Sequence, residues 1–135
     1  MGVALLDSSV VVGFLFSDDV LHPAADAALR AAATQHALIV STVTLAELLT
    51  GAKIGHHDEP TVRAFFEQVI SERVAVDEPV AERAAELRAA WRSLRLPDAL
   101  ILATGTLRAD VVLTGDSDLV GVPDAGCEIR YVGDS

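Results

Sequence analysis

The sequence predicts an α/β fold of three layers, with a mostly parallel central sheet of four to five strands and helices on both faces. Three observations predict it. Uninterrupted apolar runs occur at Val3 to Leu6, Ala37 to Val40 and Val111 to Leu113, as strands buried on both faces require. Between them lie segments with helical spacing of apolar residues, long enough to serve as crossovers between parallel strands. Acidic residues recur just after a strand or at a helix start, which in an open parallel sheet gathers them outside the carboxyl ends of the strands, where ligands bind.

Taken in order, Val3 to Leu6 is the first strand, and Asp7-Ser8-Ser9 turns it into a helix from Val10 to Phe16, with Ser9 as its cap. Ser17-Asp18-Asp19 breaks the pattern, and Ala24 to Ala33 is a second helix, rich in the best helix former. Ala37 to Val40 is the second strand. The stretch STVTLAELLTGAKIG reads as a helix in which Thr44 and Glu47 form a capping box and Gly51 or Gly55 ends the element. His56 to Pro60 is a polar loop, and Val62, Phe65, Phe66, Val69 and Ile70 mark a helix running up to Glu72. Arg73 to Val76 fits a third strand. Val80, Ala84, Leu87, Trp91 and Leu94 share one face of a helix from Pro79 to Leu94. A helix from Asp98 to Leu107, the strand Val111 to Leu113, the acidic loop TGDSDL and a fifth strand, Glu128 to Val132, complete the chain. Residues 1–135 suffice for one domain with a real core.

Half of the residues are apolar (51%) and only 4% are aromatic, so the core must be built from Ala, Val and Leu. The net charge of −10 argues against a generic basic nucleic-acid binder, because only 10 Lys and Arg are available for phosphates. Nucleic acid as a substrate stays open, since bound divalent cations reverse the local sign of an acidic pocket. Cys127 is the single cysteine, so no disulfide forms within the chain, and a reducing cytoplasm is the expected location. The apolar opening lacks a basic leader and is interrupted by Asp7, and no apolar run approaches the ~20 residues needed to cross a bilayer. No membrane association is expected.

Asp7, Glu47, Asp98 and Asp116 fall at comparable places in this pattern. Singly, each has an ordinary structural use: Asp7 and Asp116 as turn or cap residues, Glu47 as the partner of Thr44, Asp98 as a complement to a helix dipole. His56 and His57 sit in a polar loop without the Cys and His count that zinc requires. Arg88, Arg92 and Arg95, at spacings of four and three, would share a helix face leading to Asp98, either as a solvated stripe or as a receiver of substrate phosphates.

Taken together, DSSV at Asp7, TLAEL around Glu47, PDALILATG from Pro97 to Gly105 and TGDSDL from Thr114 to Leu119 resemble the PIN-domain family of metal-dependent ribonucleases, and within it the small VapC-type toxins of bacterial toxin–antitoxin pairs. The motifs stand in the family's order over nearly the whole chain. The resemblance implies that Asp7, Glu47, Asp98 and Asp116 form a catalytic acidic cluster holding Mg²⁺ or Mn²⁺. It makes Asp118 an additional or water-mediated ligand, and places Ser9 and Thr114 among the small hydroxyls lining the substrate site. It implies further that the early helices form a groove for a cognate antitoxin and that the chain pairs as a homodimer. Gly105, Leu102 and Leu119 depart from the family's commoner residues, which touches packing more than chemistry.

The chemistry agrees: converging carboxylates repel one another unless a cation sits among them, and hard oxygen donors select Mg²⁺ or Mn²⁺ over Zn²⁺. The expected activity is endonucleolytic hydrolysis of RNA by metal-activated water, with no covalent enzyme intermediate, leaving a 5′-phosphate and a 3′-hydroxyl. The alternative is a catalytically silent interaction module of the same fold. A phosphoacceptor receiver domain fits less well, since Lys53 does not follow a strand as that chemistry requires.

Overall fold

The computed structural model describes residues 1–122 and 126–133. Its elements, in chain order, are β1 (Gly2–Leu6), α1 (Ser8–Leu15), α2 (His22–Ala33), β2 (His36–Ser41), α3 (Thr42–Lys53), α4 (Glu59–Gln68), β3 (Glu72–Val74), α5 (Glu78–Ala90), α6 (Leu96–Arg108), β4 (Val111–Thr114), α7 (Ser117–Val120) and β5 (Glu128–Tyr131). The five strands pair in the order β3-β2-β1-β4-β5, and every pairing is parallel. The chain steps outward from β1 to β2 and β3, then returns past β1 to β4 and β5. That reversal lies between β1 and β4, where Leu6 pairs with Leu113.

Strand alternation divides the apolar residues between two cores. Ala4, Leu6, Leu38, Val40, Val111 and Leu113 face one side, where they meet Val10, Val11, Leu29, Leu48, Phe65 and Phe66 from α1 to α4. Leu5, Ile39, Val74 and Val112 face the other, against Val80, Leu87, Ile101 and Leu102 of α5 and α6. Leu5, Leu6, Phe66 and Leu102 are at most 1% exposed, and each such burial stabilises the fold by roughly 1.5–3 kcal/mol. The period of two along each strand thus gives the layered arrangement that uninterrupted apolar strands imply.

Several local expectations are corrected. Asp7, not Ser9, caps α1, accepting from the Ser8 amide. Ser41 caps α3, so Thr44 lies inside the helix and makes no capping box with Glu47. Helix α4 begins at Glu59 under an Asp58 cap and ends at Gln68, short of Glu72. The helix expected from Pro79 to Leu94 stops at Ala90, because Trp91 adopts an extended conformation (φ −132°, ψ 91°) and the chain turns before Pro97 opens α6. Arg88, Arg92 and Arg95 therefore do not share a helix face. The loop after β4 contains the short helix α7. His57 is half-buried, stacked on Phe16 with ring centroids 4.5 Å apart, and lies over the backbone of Gly51, where any Cβ would collide with its ring.

Candidate active site

Asp7 leaves the carboxyl end of β1 directly into α1, and Thr114 and Asp116 leave the carboxyl end of β4 beside it. The two ends are tied by the Asp7 amide, which donates to the Leu113 carbonyl at 2.9 Å. The C-terminal end of α6 lies at the opposite edge of the sheet, where the Arg108 guanidinium grips Glu72 of β3 and the Asp110 amide donates to Val3. Its N-terminus, carrying Asp98 in the first turn, therefore opens onto the carboxyl edge as well. Glu47 reaches the same edge from α3, which follows β2.

Asp7 is 5% exposed, and its carboxylate accepts from the Ser8 amide at 2.8 Å, the Ser9 hydroxyl at 3.0 Å and the Thr114 hydroxyl at 2.7 Å. All three donors are neutral. Burial pushes the Asp7 carboxyl above its usual range; the Thr114, Ser9 and Ser8 hydrogen bonds oppose this, and the charge of Asp98 adds to the rise. Thr114 Oγ1 in turn accepts from the Asp116 amide at 3.0 Å, and the Asp116 carboxylate accepts from the Asp118 amide at 2.9 Å. On the other side of Asp7, the Ser8 hydroxyl donates to Glu47 Oε1 at 2.6 Å and lies 3.0 Å from Thr44 Oγ1. Ser8 thus bridges Glu47 and Asp7, through its hydroxyl and its backbone amide, and Thr114 bridges the Asp7 carboxylate and the Asp116 backbone amide.

The structure links Asp7 to Glu47 through Ser8 and to the Asp116 backbone through Thr114, and brings Asp98 within electrostatic reach of Asp7. Asp98, Asp116 and Asp118 line an open cleft of about 660 Å³, with Trp91, Leu94 and Arg95 among the other lining residues. Ser9 and Thr114 are turned towards Asp7; Thr114 is fully buried and has no surface for a substrate, so its hydroxyl positions the carboxylate instead. Arg88 donates to the Leu94 carbonyl at 3.0 Å, Arg92 is exposed, and Arg95 pairs with Asp98 at 3.3 Å. The sequence reading gave Ser8, Thr44 and Trp91 structural places but did not assign them to the site. For Ser8 a signal existed, since an acid followed by two hydroxyl residues at a strand end offers donors to its own carboxylate.

Among the described residues, no group of three or more His, Cys, Asp or Glu side chains stands ready as a metal cage. The donor chemistry nevertheless fits a hard divalent cation: a buried carboxylate with only neutral donors lies within electrostatic reach of a second carboxylate, and the backbone of Asp116 is tied to it through Thr114.

The sequence matches the PIN-domain family over residues 4–125. The chain belongs to the PIN-domain family. Among curated proteins, none matches it. Among solved structures, the fold resembles VapBC2 from Rickettsia felis bound to a DNA fragment from its promoter, with a TM-score of 0.78, 15% identity, and coverage of 96% of this chain and 98% of the other. VapBC-5 from Mycobacterium tuberculosis, a toxin–antitoxin system, is 28% identical with a TM-score of 0.69, covering 98% and 100% of the two chains. VapC20 of the same organism, described as a sarcin-ricin loop cleaving toxin, is 18% identical with a TM-score of 0.70, covering 93% and 98%. The all-parallel, three-layer architecture of this PIN domain is thus shared with members of VapBC pairs.

Proposed function

We propose that this PIN domain, formed by residues 1–135, is a Mg²⁺- or Mn²⁺-dependent endoribonuclease acting in the cytoplasm as the toxin of a toxin–antitoxin pair, held in check by a cognate antitoxin and paired as a homodimer. The observation that carries the reading is that Ser8 and Thr114 tie Glu47, Asp7 and the Asp116 backbone together at the switch point of the sheet, with Asp98 within electrostatic reach of Asp7. Family membership supports ribonuclease chemistry, and similarity to VapBC structures supports the antitoxin partner.

Asp7, Asp98 and Asp116 would hold the cation, with Asp118 as a further or water-mediated ligand. When bound, the cation supplies a water of lowered pKa and neutralises charge on the scissile phosphate. The chain's own residues set the geometry. Ser8, Ser9 and Thr114 fix the Asp7 carboxylate, and Thr114 also holds the backbone of Asp116, so those two acids cannot drift independently. Ser8 holds Glu47 beside them as a candidate proton acceptor at the exposed rim of the site. Arg95, exposed and lining the same cleft, would receive a phosphate of the RNA.

Incubating purified protein with total RNA and Mn²⁺ tests this. Cleavage abolished both by EDTA and by Asp98→Asn, with 5′-phosphate ends on the products, is the expected result. Silence under every metal condition favours a non-catalytic module, and a 2′,3′-cyclic phosphate refutes water as the nucleophile.

A further inference from the structure

The cleft beside the acids has a wall that the metal chemistry does not use. Trp91 ends α5 in an extended conformation, and the five residues Trp91 to Arg95 form a tight connection to α6. This connection is braced twice: the Leu94 amide donates to the Trp91 carbonyl at 3.1 Å, and the Arg88 side chain donates to the Leu94 carbonyl at 3.0 Å. The indole packs partly against the core formed with Leu87 and Leu94, and Trp91 also borders the cleft that Asp98 and Asp116 line. It is the chain's single tryptophan. Next to it, the Arg95 side chain is 77% exposed and, among the described residues, is held by its 3.3 Å contact with Asp98 alone, so its guanidinium can move to another anion at little cost.

The geometry points to a seat for one unpaired nucleobase: Trp91 stacks a base flanking the scissile phosphate, and Arg95 takes the neighbouring phosphate. This rests on the ribonuclease reading of the acids and specifies which RNA they can cut. A cleft of about 660 Å³ is the size of ordinary small-ligand sites. A base can lie on an indole only when it is out of a helix, so the substrate is a single strand or loop and not a continuous duplex. Stacking also supplies what this chain lacks. With 20 acidic against 10 basic residues, counterion release contributes little, and a contact independent of charge must carry affinity close to the cut. The Arg88 brace keeps the platform ordered before RNA arrives, so little entropy is lost on binding.

The test uses the emission of Trp91 in full-length protein carrying Asp116→Asn, with Mg²⁺ and an end-labelled oligoribonucleotide. The expected result is a rise in label anisotropy with parallel quenching of Trp91 by the single strand, neither being seen with the same sequence annealed to its complement. Trp91→Ala lowers single-strand affinity about ten-fold, and Trp91→Phe restores most of it. Binding without quenching, or equal binding by the duplex, overturns the seat while RNA cleavage by the unmutated protein keeps the nuclease reading. Quenching by a single strand that the unmutated protein never cuts leaves the seat standing and removes the nuclease reading. Absence of any RNA binding overturns the seat.

Discussion

Asp7 is where folding and chemistry conflict most directly. A carboxylate at 5% exposure with three neutral donors is costly to ionise, and its pKa is raised chiefly by burial. Because the folded chain then binds this proton more readily than the unfolded one, the group's contribution to stability is fully present at pH below the ordinary carboxylate range and is lost as pH rises through the raised value. Asp7→Asn, which removes the charge and keeps the shape, should therefore gain stability relative to the unmutated protein between acid and neutral pH, while RNA cleavage disappears. Denaturation midpoints at several pH values check this, and a constant difference between the two proteins contradicts it. Thr114→Val removes a donor to Asp7 and the acceptor of the Asp116 amide. It should cost about 1–3 kcal/mol in urea denaturation and impair cleavage. Cys127, whose thiol is pushed up by burial, should react with a thiol reagent at neutral pH more slowly than free cysteine.

At the scale of elements, α6 is the piece on which the site depends, since its N-terminus carries Asp98 and its body lies against β1, β2 and β4. Gly105 permits that approach, because a Cβ there would run into Val112 Cγ2 in the centre of the sheet. Gly105→Ala adds helix propensity worth ~1 kcal/mol but overpacks a β-branched core residue, for which ~1–3 kcal/mol is typical. The net expectation is a lower thermal midpoint, and a midpoint raised by the substitution would show that α6 can shift outward freely. Strands and long helices were legible in the sequence because their apolar periodicity is a local property, as in Leu5 and Leu6 facing opposite cores. Caps and breaks were less so. Ser41 in place of Thr44 and Asp7 in place of Ser9 depend on where the backbone leaves the sheet, and the end of α5 at Ala90 on the turn into α6, of which an amphipathic pattern continuing through Trp91 and Leu94 gives no local sign.

For the whole molecule, strand order explains why residues distant in sequence meet. The reversal between β1 and β4 brings residue 7 beside residues 114 to 116, and the acids at these positions were recognisable from their motifs before any contact was visible. What the motifs did not show were the contacts made by the Ser8 and Thr44 hydroxyls and the cleft bordered by Trp91, because those exist only once α1, α3 and the turn before α6 are in place. The charge balance has its own consequence. Arg95 is the one cationic side chain among the described residues lining the cleft, so the salt dependence of single-strand binding should be shallow, with a log–log slope of about −1 or weaker. A steep slope would place a basic RNA-binding surface elsewhere on the molecule.

The central claim is that Asp7, Asp98 and Asp116 share one divalent cation. Calorimetric titration of Mn²⁺ into the unmutated protein and into Asp7→Asn, Asp98→Asn and Asp116→Asn tests it most directly. Saturable binding by the unmutated protein, weakened by each of the three substitutions in a folded chain, is the predicted result. Unaltered binding in any one of the variants, or none in the unmutated protein, would contradict it.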